Sequence, residues 1–177
     1  MSEDTLKVAA VQLALTGNLD TNYRRICSWM RRAAKAGAEL VHFSETALTG
    51  YYRVHLRDLS ALDKGLLEER NHGLRKLAAK LGVWLAYGGT HFEPGLDKPY
   101  NSLYLVDPQG SEIGRYDKVF LTDTDMLAYS PGNSLVLARI KKFKVGLTIC
   151  FDMRFPEIFR RYLAAGTDLV LISSYQA

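Results

Sequence analysis

Residues 145–157 read VGLTICFDMRFPE. The apolar run at the start is typical of a buried strand, and Pro156 is favoured at the first position of a helix, where no N–H donor is needed. The segment therefore predicts a strand, a short polar turn and a helix, with Cys150 at the carboxyl end of the strand. Open α/β sheets place their chemistry at that edge, so Cys150 is a candidate nucleophile. The alternative is a buried structural residue, the commoner role of a cysteine in an apolar strand.

The rest of the chain repeats a simple local pattern, in which an Ala-rich basic helix ends at a Gly and an apolar strand follows. Its three copies span residues 31–43, 75–89 and 160–174, and their glycines are Gly37, Gly82 and Gly166. Each glycine suits the left-handed position just past a helix end. Further strands are predicted at residues 6–13, 102–106, 112–119, 134–140 and 144–149, with a hairpin turn at 108–110. These elements predict a layered α/β protein with a mixed sheet or sheets.

Composition restricts the classes of function. The 177 residues carry a net charge of +4, with 47% hydrophobic and 24% charged residues, which is ordinary for one globular domain. The basic run at 139–144 is best explained as a solvated hairpin turn, so we expect no nucleic-acid partner. No apolar stretch reaches the length of a membrane span, and we expect no membrane partner. Cys27 lies on the apolar stripe of the first helix, and two unrelated cysteines indicate free thiols and a cytoplasmic protein.

A cysteine nucleophile requires a proton acceptor or a nearby positive charge. Glu45 lies just past the carboxyl end of the strand-like run 40–43, and Cys150 lies at the same end of its own strand. If these two strands lie side by side, the two side chains face one crevice. Lys118 ends a third strand-like run. Each has an ordinary alternative, a loop carboxylate for Glu45 and a solvated charge for Lys118. No pair of His, Cys or acidic residues has metal-ligand spacing, so we expect no metal.

Several segments together carry a family resemblance. They are FSET at 43–46 with TGY at 49–51, YDKVFL at 116–121, ICFDMRFPE at 149–157, VAAVQ at 8–12, YNS at 100–102 and SPG at 130–132. Their order and spacing resemble those of the nitrilase superfamily of carbon–nitrogen hydrolases. The resemblance implies a layered α-β-β-α sandwich of the nitrilase type without a cofactor. It also implies that residues 1–177 form one carbon–nitrogen hydrolase domain that is short at its C-terminal end.

The resemblance also implies roles for particular residues. Glu45 is the general base, Lys118 the positive charge beside the oxyanion and Cys150 the nucleophile, with the backbone N–H of Phe151 as a second oxyanion donor. Asp125 stands where many members carry a second glutamate that supports the lysine. Because Asp is one methylene shorter, we expect its support of Lys118 to be weaker or to pass through water.

Three further residues are candidates for substrate contact. Tyr51 and Asn101 belong to matching segments, and each has a structural role as its alternative. Arg154 suits bidentate recognition of a substrate carboxylate, or else it positions its loop or pairs with Glu157.

The implied function is thiol-dependent hydrolysis of a non-peptide carbon–nitrogen bond, in which a small amide gives an acid and ammonia through a Cys150 thioester. The implied partners are a small-molecule amide substrate and a second copy of the chain, in a homodimer or higher oligomer that uses the helix beginning at Pro156. Two alternatives stay open. One is an inactive fragment that acts as an interaction or scaffold module, and the other is acyl transfer from the same thioester to an amine.

Overall fold

A computed structural model describes residues 5–175. Its strands are β1 (Val8–Val11), β2 (Leu40–Phe43), β3 (Trp84–His91), β4 (Tyr100–Val106), β5 (Glu112–Asp117), β6 (Leu137–Ile140), β7 (Phe143–Ile149) and β8 (Leu169–Ser173). Its helices are α1 (Leu19–Lys35), α2 (Lys64–Leu81), α3 (Asp123–Ala128) and α4 (Pro156–Ala164). Short 3-10 turns cover Leu59–Ala61 and Cys150–Arg154. The predicted strand, turn and helix around Cys150 are therefore confirmed.

The strands form two sheets. The first has the order β1-β2-β3-β4-β5, with parallel pairing from β1 to β3 and antiparallel pairing from β3 to β5. The second has the order β6-β7-β8, in which β7 pairs antiparallel with β6 and parallel with β8. The predicted hairpins, β4-β5 and β6-β7, are both present. Strands β1 and β6 are shorter than the patterns at 6–13 and 134–140 predicted.

The two sheets pack face to face, and helices cover their outer faces. Between the sheets lies one apolar core, formed by Leu40, Ala86, Leu103, Leu105, Tyr116, Ile140, Val145, Leu147, Ile149 and Leu171. A second core joins the other face of the five-stranded sheet to α1 and α2, and Cys27 is buried in it as predicted. Helix α4 packs on the second sheet, where Gly146 leaves room for the Tyr162 ring. The layers therefore follow the order α-β-β-α.

The helix ends follow local chemistry. Gly37, Gly82 and Gly166 have φ angles of +80°, +64° and +72°, in the left-handed region that their positions predict. No helix in the described part of the chain is long and apolar enough to cross a membrane.

The strands that precede Glu45 and Cys150, β2 and β7, do not lie side by side, which was the arrangement considered from the sequence. They belong to different sheets, so the two residues meet across the sandwich. Strand β8 contacts both β7 and β2. It pairs with β7 in its own sheet, and its Ser173 hydroxyl donates to the carbonyl oxygen of Phe43 in β2 at 2.9 Å.

Candidate active site

Glu45 lies in a fully buried turn that follows β2. Its Oε1 accepts hydrogen bonds from Asn101 Nδ2 and from Lys118 Nζ, both at 2.8 Å. Its Oε2 accepts a hydrogen bond from the backbone N–H of Tyr175 at 3.1 Å. Three donors from three distant parts of the chain thus fix both carboxylate oxygens, which is how a buried carboxylate remains stable.

Lys118 follows β5 directly, and its side chain is completely buried. The β4-β5 register pairs Ser102 with Asp117, so the next pair along brings Lys118 beside Asn101. Its Nζ lies 2.8 Å from Glu45 Oε1 and 2.7 Å from Asp125 Oδ2. Burial alone lowers the pKa of Lys118, but the two carboxylates outweigh burial and raise the pKa above its ordinary value. The site therefore holds a fixed ammonium.

Asp125 lies in the first turn of α3, where it takes part in a capping box. Its N–H donates to Thr122 Oγ1 at 3.1 Å, while the Thr122 N–H donates to its Oδ2 at 3.2 Å. This arrangement aims the carboxylate at Lys118. The contact with Lys118 is direct, so the expectation of support through water is wrong, while the expectation of weaker support stays a prediction. Because Asp125 lies in the first turn of α3, its short side chain is within reach of Lys118.

Cys150 leaves β7 with a φ of +43°, an unusual angle for a residue with a side chain. Its Sγ accepts a hydrogen bond from Ser174 Oγ at 3.3 Å and lies 3.9 Å from the carbonyl oxygen of Tyr175. Burial raises the pKa of the Cys150 thiol, and the negative charge of Glu45 raises it further, whereas Ser174 and Lys118 act in the opposite direction. The thiol at rest is therefore neutral near pH 7, and a base must remove its proton.

Two of the three residues considered for substrate contact hold the carboxylates of the site. The Tyr51 hydroxyl donates to Asp125 Oδ1 at 3.2 Å, and Asn101 donates to Glu45 as described. The Asn101 Oδ1 is buried without a hydrogen-bond partner. Arg154 is exposed, with its guanidinium 5.6 Å from the centre of the Phe151 ring. Phe151 follows Cys150 within the 3-10 turn.

Asp152 is a buried residue that the sequence interpretation missed. It accepts hydrogen bonds from the Tyr116 hydroxyl at 2.8 Å and from the N–H groups of Phe120 and Ile149 at 2.8 and 3.1 Å. These bonds tie the turn that carries Cys150 to the segment that follows Lys118. The signal available in the sequence was an acidic residue two positions after the cysteine, in the short turn between the strand and the helix.

Ser174 and Tyr175 were also missed, because they follow a strand that carries no recognisable motif. The Tyr175 ring stacks on Tyr51 with 5.1 Å between ring centres, and the His55 ring lies edge-on to it at 5.3 Å. The His55 Nδ1 accepts a hydrogen bond from the Tyr51 N–H at 3.0 Å. These aromatic rings line the side of the site next to Asp125.

Surface cavities lie close to the site, and Ser174 borders one of them. Cavities of about 360 Å³ beside Phe92, 220 Å³ beside Ser174 and 470 Å³ beside Phe120 are lined by residues other than Glu45, Lys118 and Cys150. Within residues 5–175, no three His, Cys, Asp or Glu side chains form a group that could hold a metal ion. The described site consists of a thiol, two carboxylates and an ammonium.

The chain has relatives among known proteins. Residues 7–177 match the family model described as carbon-nitrogen hydrolase. The chain belongs to this family. Membership bears out the resemblance read from the FSET, YDKVFL and ICFDMRFPE segments.

Two curated relatives of this carbon–nitrogen hydrolase chain are amidases from Mus musculus. The omega-amidase NIT2 is 31% identical over 176 residues, and the deaminated glutathione amidase is 29% identical over 182 residues. Each match covers 94% of this chain, but only 62% and 55% of the respective relative. The chain therefore spans less than two thirds of the length of either one.

Solved structures support the fold. A mutant of the amidase from Nesterenkonia sp. AN1, in complex with butyramide, matches with a TM-score of 0.87 at 24% identity. The match covers 96% of this chain and 65% of that chain. It confirms the predicted α-β-β-α sandwich of the nitrilase type.

Proposed function

We propose that the protein hydrolyses the carbon–nitrogen bond of a small amide to a carboxylic acid and ammonia through a thioester on Cys150. The observation that carries this proposal is the convergence of the Cys150 thiol, the Glu45 carboxylate and a buried, permanently charged Lys118. Omega-amidase and deaminated glutathione amidase among the relatives favour amides over nitriles as substrates.

In the first half of the reaction, Glu45 accepts the thiol proton while Cys150 Sγ attacks the amide carbonyl carbon. The carbonyl oxygen becomes an oxyanion that the Lys118 ammonium and the Phe151 N–H stabilise, and one such donor contributes about 10²–10³ in rate. The tetrahedral intermediate then breaks its carbon–nitrogen bond. Glu45 returns the proton to the departing nitrogen, so that ammonia leaves and a thioester remains.

In the second half, Glu45 accepts a proton from water while the water oxygen attacks the thioester carbonyl carbon. The second oxyanion is stabilised by the same two donors. Collapse of this intermediate breaks the carbon–sulfur bond, releases the acid and returns the proton from Glu45 to Cys150. Asp125 takes no proton in this scheme, because its role is to hold Lys118 in place.

We propose that Asn101 and Arg154 contribute to substrate contact. The unpartnered Asn101 Oδ1 beside Glu45 offers an acceptor for an amide N–H. Arg154 is exposed near the turn of the nucleophile and suits a substrate that carries a carboxylate at the end distant from its amide. Replacing Arg154 by Met is then expected to raise KM for such an amide and to leave KM for butyramide unchanged.

We also propose that the protein forms a homodimer or higher oligomer through α4. Leu163 in this helix is 76% exposed, and Met153 in the preceding turn is 43% exposed, which are high values for apolar side chains. Replacing Leu163 by Glu is expected to convert an oligomer into a monomer in light scattering coupled to size exclusion. A Leu163→Glu variant with the oligomeric state of the unmodified protein would contradict this assignment.

The function is tested by measuring ammonia release from a panel of small amides. We expect release from the unmodified protein and from Cys27→Ala, which retains the proposed nucleophile, and none from Cys150→Ala. Release that requires an added amine acceptor, with formation of a new amide, would indicate acyl transfer instead. No release from a folded, unmodified protein on any amide of the panel would favour an interaction module.

A further inference from the structure

The two residues that follow β8 contact both reacting groups of the proposed amidase. In the parallel pairing of β7 with β8, Ile149 lies opposite Ser173. The next residues on the two strands, Cys150 and Ser174, therefore leave the sheet side by side. The Ser174 hydroxyl donates to Cys150 Sγ at 3.3 Å, within the range of hydrogen bonds to sulfur.

The neighbouring residue fixes the position of Ser174 relative to the base. The Tyr175 N–H donates to Glu45 Oε2 at 3.1 Å, so a two-residue segment joins the base to the nucleophile. On the other side, the Ser173 hydroxyl is bonded to the Phe43 carbonyl oxygen and to His42 Nε2 at 2.9 and 2.8 Å. Ser174 is thus held between two anchored residues, and its hydroxyl is directed at the sulfur.

We infer that Ser174 is a further catalytic residue of the proposed amidase site, whose hydroxyl orients the Cys150 sulfur and donates a hydrogen bond to the thiolate. This inference rests on the proposed function. The thiolate forms as Cys150 attacks the amide and forms again when the thioester breaks, so one donor acts in both halves of the reaction. No atom is transferred to or from Ser174 in either step.

A hydrogen-bond donor at this position offsets an environment that is unfavourable for the Cys150 thiolate. Burial and the adjacent Glu45 both disfavour a negative charge on the sulfur, and they raise the pKa of Cys150. A hydrogen bond to the charged form of a group favours that form. The Lys118 ammonium also favours the thiolate, but it is already bound to two carboxylates. The Ser174 hydroxyl reaches the sulfur itself.

The test is site-resolved alkylation of Cys150 by iodoacetamide between pH 6 and 10, read by mass spectrometry on four proteins. These are the unmodified chain and the variants Ser174→Ala, Ser174→Thr and Ser173→Ala. Ser174 borders the 220 Å³ cavity, which leaves room for the added methyl group of Thr. Ser173→Ala is the matched control, because it removes a hydroxyl one residue away that is bonded to Phe43 and His42 instead of the sulfur.

We expect Ser174→Ala to move the alkylation profile of Cys150 about 0.5–1 unit to higher pH, which lowers its rate at a fixed pH below the midpoint about three- to tenfold. Ser174→Thr restores the hydroxyl and should move the profile back. Ser173→Ala should lower the unfolding temperature and leave the Cys150 profile unchanged. The alkylation rate of Cys27, measured in the same digest, shows whether a variant has exposed its apolar core.

An unchanged Cys150 profile in Ser174→Ala would overturn the inference, and so would an equal shift in Ser173→Ala. The alkylation profile does not depend on amide turnover, so failure of the inference is distinguishable from failure of the proposed hydrolysis. If the protein releases ammonia but Ser174→Ala retains the alkylation profile of the unmodified chain, Ser174 is structural and the amidase proposal is unaffected.

Discussion

At the scale of single residues, the centre of the site is a buried ammonium between two buried carboxylates. The Lys118, Glu45 and Asp125 side chains are all 0% exposed, so their charges depend on one another and solvent does not replace a lost partner. Breaking a buried ion pair by removing one partner is strongly destabilising, since the remaining charge has no compensation. Lys118 is therefore expected to contribute to folding as well as to catalysis.

The variant Lys118→Met tests this dependence. We expect it to lower the free energy of unfolding by roughly 3–5 kcal/mol and to lower kcat on the order of 10²–10³-fold. In the double variant Lys118→Met/Asp125→Asn, one unpaired carboxylate is gone, so part of the stability should return while turnover stays low. Urea unfolding and ammonia release measure the two effects. Equal stability of the single and double variants would show that Asp125 and Lys118 are not coupled.

At the scale of secondary-structure elements, β3 packs directly under the turn that carries Glu45. A Cβ atom added at Gly88 would lie 2.6 Å from the Ser44 carbonyl oxygen and 2.8 Å from the Glu45 carbonyl carbon, and both are backbone atoms that cannot move aside alone. At the adjacent Gly89, the added Cβ would meet only the Tyr104 ring at 3.6 Å and Leu48 at 3.9 Å, which are ordinary contacts. The two neighbouring glycines thus differ in how closely they pack against the turn that carries Glu45.

We expect Gly88→Ala to displace Glu45 and to reduce kcat strongly, since a shift of about 1 Å in a catalytic group can lower the rate 10²-fold. Gly89→Ala is the matched control and should retain most of the activity. Ammonia release and circular dichroism of both variants provide the measurement. Comparable losses of kcat in the two variants would contradict a positioning role for Gly88.

The elements also show what the sequence could predict. The units of helix, Gly and strand could be predicted because they depend on residues close together in the chain. The structure also contains α4 and its preceding turn, as the pattern at residues 145–157 predicted. The start of the first helix was predictable only to within a turn. Asn18 is the N-cap and accepts a hydrogen bond from the Thr21 N–H at 2.8 Å, although Asp20, two residues later, is also a favoured cap residue type.

Contacts between distant residues were less predictable. The separation of β2 and β7 into two sheets depends on long-range strand pairing, which local patterns do not encode. The contact of Tyr175 with Glu45 spans 130 residues, and it rests on a backbone N–H that any residue except proline supplies. Glu45, Lys118 and Cys150 could be proposed from the sequence because the family motifs contain these residues, and their catalytic roles stay predictions.

At the scale of the whole molecule, pH should change the free energy of unfolding through titratable groups buried between the layers. His42 lies in β2 beside Ser173, and burial lowers its pKa to about 4. In the unfolded chain a histidine takes up a proton near pH 6.5. The stability that His42 provides is therefore complete above pH 6.5 and is lost as the pH falls toward 4. Asp152 has the opposite effect on stability. Because burial raises its pKa, its contribution to the free energy of unfolding falls as the pH rises.

We expect the free energy of unfolding to fall by about 2–3 kcal/mol between pH 7 and pH 4 through His42 alone. His42→Gln places an amide near Ser173 and removes the titrating group, so the difference in stability between the two proteins should shrink as the pH falls. Urea unfolding at half-unit pH intervals measures this difference. A difference that stays constant across the interval would show that His42 does not titrate on unfolding.

The most direct test of the central claim, a thioester on Cys150, is single-turnover mass spectrometry of the protein mixed with butyramide and quenched in acid. We expect a butyryl group on the peptide that contains Cys150, formed together with one equivalent of ammonia and removed by hydroxylamine. No such adduct should form on Cys150→Ala. Ammonia release that continues in Cys150→Ala, or a butyryl group on any other residue, would contradict the account.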